Sequence, residues 1–337
     1  MRAVQLVTAG AALEMREVAV PEPGPGEILI RIAAAGICRS DLHYRSGFPA
    51  AGPLPLTLGH EVAGIVVADA GTTGPTPGAR VCVHYQVGCG RCRWCAAGLE
   101  QHCPTGSMVG KSRPGGYAEM ITVPARNAVP IPPGVTMEHA AAMMCSSATS
   151  LHALRRGRLA PGDRVAIFGV GGLGMSAVQL AQAGGAATVF AIDPNPEKRR
   201  LAETLGAEPL APGAATLDRI RAAGGADLAM DLVGSAEVMR RCLEVLAPLG
   251  RAVAVGLTPD TFAVGPYTDL VTGESELIGA SDHRRDEIVD LLDMAASGGI
   301  RLDRIVDRTV PLEAGPINRT LDELAGFGGS VRTVITP

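Results

Sequence analysis

From Arg164 to Ala183 the chain reads RVAIFGVGGLGMSAVQLAQA: five strand-forming residues, a glycine-rich turn, then an apolar run at helical period. The same alternation continues through ATVFAID, PEKRRLAETLGA, DLAMDLVG, SAEVMRRCLEVLA and GRAVAVG. Strands that alternate with helices predict a parallel sheet covered on both faces, an α/β doubly wound domain over about residues 148–281. In its first turn Gly169, Gly171, Gly172 and Gly174 let backbone lie close to a ligand, and the following helix N-terminus attracts a pyrophosphate. Asp193 closes the next strand 19 residues after Gly174, where a carboxylate accepts hydrogen bonds from ribose hydroxyls. Strand, turn, helix and acid agree, so a dinucleotide is expected here.

The N-terminal 147 residues follow a different pattern. RAVQLV, GEILIRIAAAG, EVAGIVVADA and GARVCVHY are short strands separated by PEPGPG and TTGPTPG, which suit a partly antiparallel β domain. From about 282 the pattern shifts again, with a helix in HRRDEIVDLLDMAASGG and a closing strand in SVRTVITP.

Residues 89–103 hold Cys89, Cys92, Cys95 and Cys103 in GCGRCRWCAAGLEQHCP. Four thiolates so close together suit a closed tetrahedral zinc site, and their spacing does not match common ferredoxin patterns. The redox setting agrees. The N-terminus lacks the features of a secretory leader and no run approaches the roughly 20 apolar residues that span a bilayer. A cytoplasmic chain is expected, with its eight cysteines as thiols or ligands rather than disulfides. A net charge of −4 and a pI near 6.0 exclude nucleic-acid binding by bulk electrostatics. Three further residues, Cys38 in GICRSDLH, His60 in LGHEVAG and Cys145 in MMCSSATS, offer a second, open metal site, although each alone reads equally well as an ordinary interior or turn residue. Cys82 and Cys242 fall in strand and helix patterns and are read as core residues.

CRSDLH, GHExxG, the four-cysteine segment, GVGGLG and SVRTVIT follow one another in an order that resembles the zinc-containing alcohol dehydrogenases of the medium-chain dehydrogenase/reductase family. The resemblance covers essentially the whole chain. It implies a GroES-like β domain (1–147 and 282–337) and a Rossmann domain (148–281), with two zinc ions per chain and NAD as cofactor. By the same match Cys38, His60 and Cys145 are the catalytic zinc ligands, Glu61 the neighbouring carboxylate and Asp41 the group that orients His60. Ser40 and His43 match a proton relay. Arg39 and Arg332 match pyrophosphate contacts, Lys198 a contact near the adenosine ribose, and Thr149 and Leu173 the nicotinamide environment. Phe48 and Tyr85 match the substrate pocket, with Met108 and Met144 beside them. The implied reaction is reversible oxidation of primary or secondary alcohols to aldehydes or ketones, with a small-molecule substrate and no nucleic-acid or membrane partner. A polyol or amino-alcohol substrate is the alternative within the family. A zinc-stabilised NAD-binding protein without turnover is the alternative outside it, and intact Ser40 and His43 argue against that. The resemblance also implies a homodimer or homotetramer paired along the Rossmann sheet edge, for which Thr261–Val264 is the expected segment. Asp193 implies preference for NAD over NADP.

Overall fold

The computed structural model describes residues 1–326 and 331–337; Ser330, expected to open the closing strand, lies outside the described residues. The chain divides into two compact units, Met1–Ala148 with His283–Pro337, and Thr149–Asp282.

The first unit is built on a seven-stranded sheet whose central member is the long strand Glu27–Ile37. Its residues Ile28, Ile30 and Ile32 alternate into the core with Val62, Val66, Tyr117 and Ile121. Each such side chain stabilises the fold by about 1.5–3 kcal/mol on burial. Glu27–Ile37 pairs antiparallel with Glu61–Asp69 in a register that sets Gly36 opposite Glu61. It also pairs with Arg332–Thr336, Thr333 lying opposite Ile37. These two registers bring residues from both ends of the chain to one corner of the sheet. Two elements here were not legible in advance, the strand Val306–Pro311 and the helix Ala314–Ala325. The helix begins Ala-Gly-Pro, which reads as loop, yet proline is tolerated in a helix's first turn.

The second unit contains a six-stranded parallel sheet in the order Glu208–Leu210, Thr188–Ile192, Arg164–Phe168, Ala226–Asp231, Leu246–Ala254, Glu276–Gly279. Numbered along the chain this is 3-2-1-4-5-6, the dinucleotide-binding order with its reversal beside the first strand. Thr261–Val264 is not a strand, contrary to the sequence expectation; the sheet edges are Glu208–Leu210 and Glu276–Gly279. Phe262 and Val264 instead pack against the core of this unit from a loop. Their apolar character serves packing from a loop, and periodicity alone cannot distinguish that use from an edge strand. Among the described residues no helix is long and apolar enough to cross a membrane.

Candidate metal centres and dinucleotide turn

The sulfurs of Cys89, Cys92, Cys95 and Cys103 all lie within 4.8 Å of one another. The local backbone makes this possible. The amide of Cys92 points at Cys89 Sγ (3.3 Å), that of Cys95 at Cys92 Sγ (3.5 Å) and that of Cys89 at Cys103 Sγ (3.3 Å). Amides of Arg91 and Cys92 hold the Cys89 thiol down at about 6, whereas burial and the neighbouring sulfurs push Cys95 up to about 12. Four sulfurs at this range do not all ionise unless a cation balances them, and that is the chemistry of a structural zinc site.

The second cluster forms at the corner of the first unit's sheet. Cys38 caps the helix Arg39–Ser46, and Asp41 at its third position accepts the Cys38 amide in a capping box (2.9 Å). Cys145 sits in a widened π-type turn, Met143–Ser147, between the helices Met137–Ala142 and Ala148–Arg156. His60 precedes the strand Glu61–Asp69. Ligand atoms of Cys38, His60, Glu61 and Cys145 lie within 4.8 Å of one another, and all four residues are buried. The Cys38 and Cys145 sulfurs are 3.8 Å apart. Asp41 Oδ1 lies 3.1 Å from His60 Nδ1, which leaves His60 Nε2 buried without a hydrogen-bond partner among the described residues. A buried imidazole nitrogen with nothing to bond, facing two thiols, is costly unless a metal takes its lone pair. The residues therefore fit a zinc ion. The Cys145 contact holds the Cys38 thiol well below the usual thiol range against the cost of burial, so the sulfur is available as thiolate. Burial alone would lower His60, but Asp41 and Cys38 outweigh it and raise it to about 10; a metal at Nε2 displaces that proton.

Glu61 faces away from a free role. Its carboxylate is ion-paired with Arg332 and both side chains are buried. The pair needs Gly36: a Cβ there would lie 1.8 Å from Glu61 Oε2. Arg332, matched by resemblance to a pyrophosphate contact, is thus engaged at the metal cluster. Arg39, matched to the same role, donates to the Leu324 carbonyl (2.9 Å) near the C-terminus of the helix Ala314–Ala325. Ser40 Oγ is 3.8 Å from Cys38 Sγ. His43 is half-buried on the same helix, its pKa lowered by burial and then by Arg39.

Of the residues matched to the substrate pocket, Tyr85 is buried with its ring edge-on to His60 at 5.2 Å. Met108 accepts the Tyr44 hydroxyl at sulfur (3.6 Å), and Met144 is fully buried. Phe48 is 46% exposed in this chain. Sequence reasoning missed Tyr44, Tyr117 and His283, which surround His60, Asp41 and Tyr85. Tyr44 lies one helical turn after Asp41 in Arg39–Ser46, a spacing that could have marked it. Tyr117 and His283 come from distant parts of the chain and carry no local signal.

In the second unit Gly171 caps the helix Gly172–Ala183, whose first turn holds Leu173 and Gly174. Gly174 must lack a side chain, because a Cβ would sit 2.1 Å from the Gly169 carbonyl oxygen. A Cβ on Gly171 would meet nothing within 4 Å, so this side of the turn is open to a ligand. Asp193 is buried and latches the turn, accepting the Val170 amide (3.0 Å) and the Asn195 amide (2.8 Å). Lys198 lies in the first turn of the helix Pro196–Thr204, and Arg199 donates to the carbonyls of Asp193 (2.7 Å) and Pro194 (2.9 Å). Leu173 accepts the Ser150 hydroxyl at its carbonyl (2.8 Å), and the buried Thr149 hydroxyl has no partner among the described residues.

Comparison with known proteins matches residues 24–133 to the alcohol dehydrogenase GroES-like domain and residues 172–297 to the zinc-binding dehydrogenase domain. An alcohol dehydrogenase of Geobacillus stearothermophilus is 35% identical over 91% of this chain and 94% of its own length. An NAD-dependent alcohol dehydrogenase of Sulfurisphaera tokodaii is 31% identical with full coverage of both chains. A solved chain of Sinorhizobium meliloti 1021 holding NADP superposes with a TM-score of 0.89 at 31% identity, covering 100% of this chain and 99% of that one. Fold, clusters and matches together define a two-domain zinc oxidoreductase. The chain belongs to the zinc-containing alcohol dehydrogenase family of medium-chain dehydrogenases.

Proposed function

We infer that this protein is an NAD-dependent zinc alcohol dehydrogenase that reversibly oxidises primary or secondary alcohols to aldehydes or ketones. The observation that carries the reading is the buried, partnerless Nε2 of His60 beside the sulfurs of Cys38 and Cys145. Those three side chains would hold the catalytic zinc, and Cys89, Cys92, Cys95 and Cys103 a structural one. When bound, zinc supplies Lewis-acid activation of the alcohol oxygen and NAD supplies the hydride acceptor. The protein's own groups orient the substrate, move its proton and keep water out. Ser40, close to Cys38, accepts the hydrogen bond of the alcohol, and His43 delivers the proton to solvent. With its pKa lowered, His43 is neutral at pH 7 and ready to accept. Apolar walls that include Tyr85 and Met108 favour uncharged alcohols, because a buried charge needs a partner. The unit Thr149–Asp282 binds the dinucleotide through the Gly169–Gly174 turn, and the carboxylate of Asp193 keeps lone pairs for the ribose hydroxyls.

Cofactor reduction with a panel of alcohols, paired with metal analysis, tests this reading. Turnover with uncharged alcohols and two zinc ions per chain is expected. Fully active protein with one zinc or none refutes it.

Among the described residues the outer edge of Glu276–Gly279 has no strand partner; Leu277 on it is 40% exposed and Val271, in the segment before it, 61%. Pairing of two copies along this strand would bury that edge in a homodimer or in half of a homotetramer. A cytoplasmic location fits the free cysteines.

A further inference from the structure

Asp41 is buried completely, and a carboxylate in that position is tolerated only when its acceptor sites are filled. Its Oδ1 lies 3.1 Å from His60 Nδ1. Its Oδ2 accepts two hydrogen bonds, one from the Cys38 amide at 2.9 Å and one from the Tyr117 hydroxyl at 2.8 Å. A carboxylate accepts and does not donate, so His60 Nδ1 carries the hydrogen and Nε2 keeps its lone pair. The Cys38 amide belongs to the same capping box as Asp41 and moves with it. Tyr117 is the donor that comes from elsewhere, 76 residues along the chain.

Tyr117 is itself fixed on several sides. Its amide donates to the Leu58 carbonyl (3.0 Å), and its carbonyl accepts the Val4 amide (2.7 Å). Its fully buried ring lies against Gly59, where φ is +92° and a Cβ would come within 2.4 Å of Tyr117 Cδ1. Gly59 precedes His60 directly, so the ring supports the backbone of the histidine while the hydroxyl holds the carboxylate that orients it.

We propose that Tyr117 is a positioning residue of the buried metal centre, whose hydroxyl holds Asp41 so that His60 presents Nε2 to the ion. The proposal rests on the reading that Cys38, His60 and Cys145 hold zinc. Among the described residues the hydroxyl's acceptor is Asp41, which it reaches from a ring packed in the core.

The test uses the full-length enzyme with Tyr117→Phe, which deletes one oxygen and keeps the ring, beside Asp41→Asn and the double variant. The catalytic site is emptied with a weak chelator while the four-cysteine site keeps its zinc. Cobalt(II) is then titrated in and followed by its ligand-field absorption. Tyr117→Phe is expected to weaken cobalt binding by roughly 10–100-fold and to change the absorption envelope, as loss of outer-shell support does at other metal sites. The melting temperature of the protein with only the catalytic site emptied should fall as well, because buried Asp41 loses a donor. A fall in melting with cobalt affinity and spectrum unchanged would mark the hydroxyl as merely structural and overturn the proposal. The double variant should lose no more than Asp41→Asn alone, because the hydroxyl acts through that carboxylate. If Asp41→Asn binds poorly while Tyr117→Phe binds like wild type with an unchanged spectrum, the role of Tyr117 is overturned. Additive losses in the double variant overturn it as well. If Asp41→Asn also binds like wild type, the orienting role of Asp41 fails, and the proposal with it; failure of the wild-type protein to take up cobalt at this site overturns the metal-site reading itself.

Discussion

His43 ties a local environment to a rate. Burial and the charge of Arg39 lower its pKa from the ordinary value of 6.5, so the ring is neutral over a wider acid range than a surface histidine. Accepting a proton during alcohol oxidation requires the neutral form. The kcat should therefore hold constant from neutral pH downward and fall only once pH drops through that lowered pKa. His43→Gln should remove this acid limb and reduce kcat by about 10²-fold or somewhat less, since the proton can escape through water. A pH–rate profile that keeps the same limb in the variant would assign the proton path elsewhere. Gly36 makes a sharper steric case. A methyl group there collides with Glu61 Oε2 and separates it from Arg332, leaving two buried charges unpaired. Gly36→Ala should destabilise the protein by about 3–5 kcal/mol, read from urea unfolding. Asp193 is the third case. Its carboxylate meets a ribose 2′-hydroxyl favourably, but a 2′-phosphate would bring like charges together at a cost of a few kcal/mol, roughly a hundredfold in affinity. NAD should have the higher kcat/KM in the wild type. Because Asp193 also latches the glycine turn, Asp193→Ala should weaken both cofactors while narrowing the gap between them.

At the scale of elements, the four-cysteine segment is short of regular structure, and on the reading proposed above it would depend on the zinc it holds. It holds only the single helical turns Arg93–Ala96 and Glu100–His102, too short to persist alone. Cys103→Ser should cut metal content to one zinc and lower the melting temperature, while Cys38→Ser should remove the other zinc and turnover with little change in melting. Equal melting temperatures for the two variants would contradict the division into closed and open sites. This segment was legible because its ligands are neighbours in sequence. The glycine turn was legible for the same reason: the close approach that demands Gly174 is to Gly169, five residues away. Thr261–Val264 is not legible in this way, because an apolar run looks the same whether it joins a sheet edge or packs down from a loop.

For the whole molecule, the edge strand Glu276–Gly279, unpaired on its outer side among the described residues and carrying the exposed Leu277, is a feature that asks for a partner. Leu277→Lys should yield a smaller species by light scattering without loss of the zinc ions, as lysine blunts an edge strand. An unchanged mass would move the interface to another surface. The amino-acid sequence by itself determined the strand–helix alternation of the second unit, the four-cysteine cluster and the glycine turn, since each is written among residues close along the chain, whereas His283–Pro337 joins the first unit through long-range pairing. The family resemblance named Cys38, His60 and Cys145, but only the tertiary structure brings their ligand atoms together, together with Asp41 and Tyr117 behind them. Strand registers decide that Gly36 faces Glu61 and that Arg332 arrives beside it from the far end of the chain. Register is a property of the assembled sheet, set by many side chains packing at once, and no short stretch of sequence carries it.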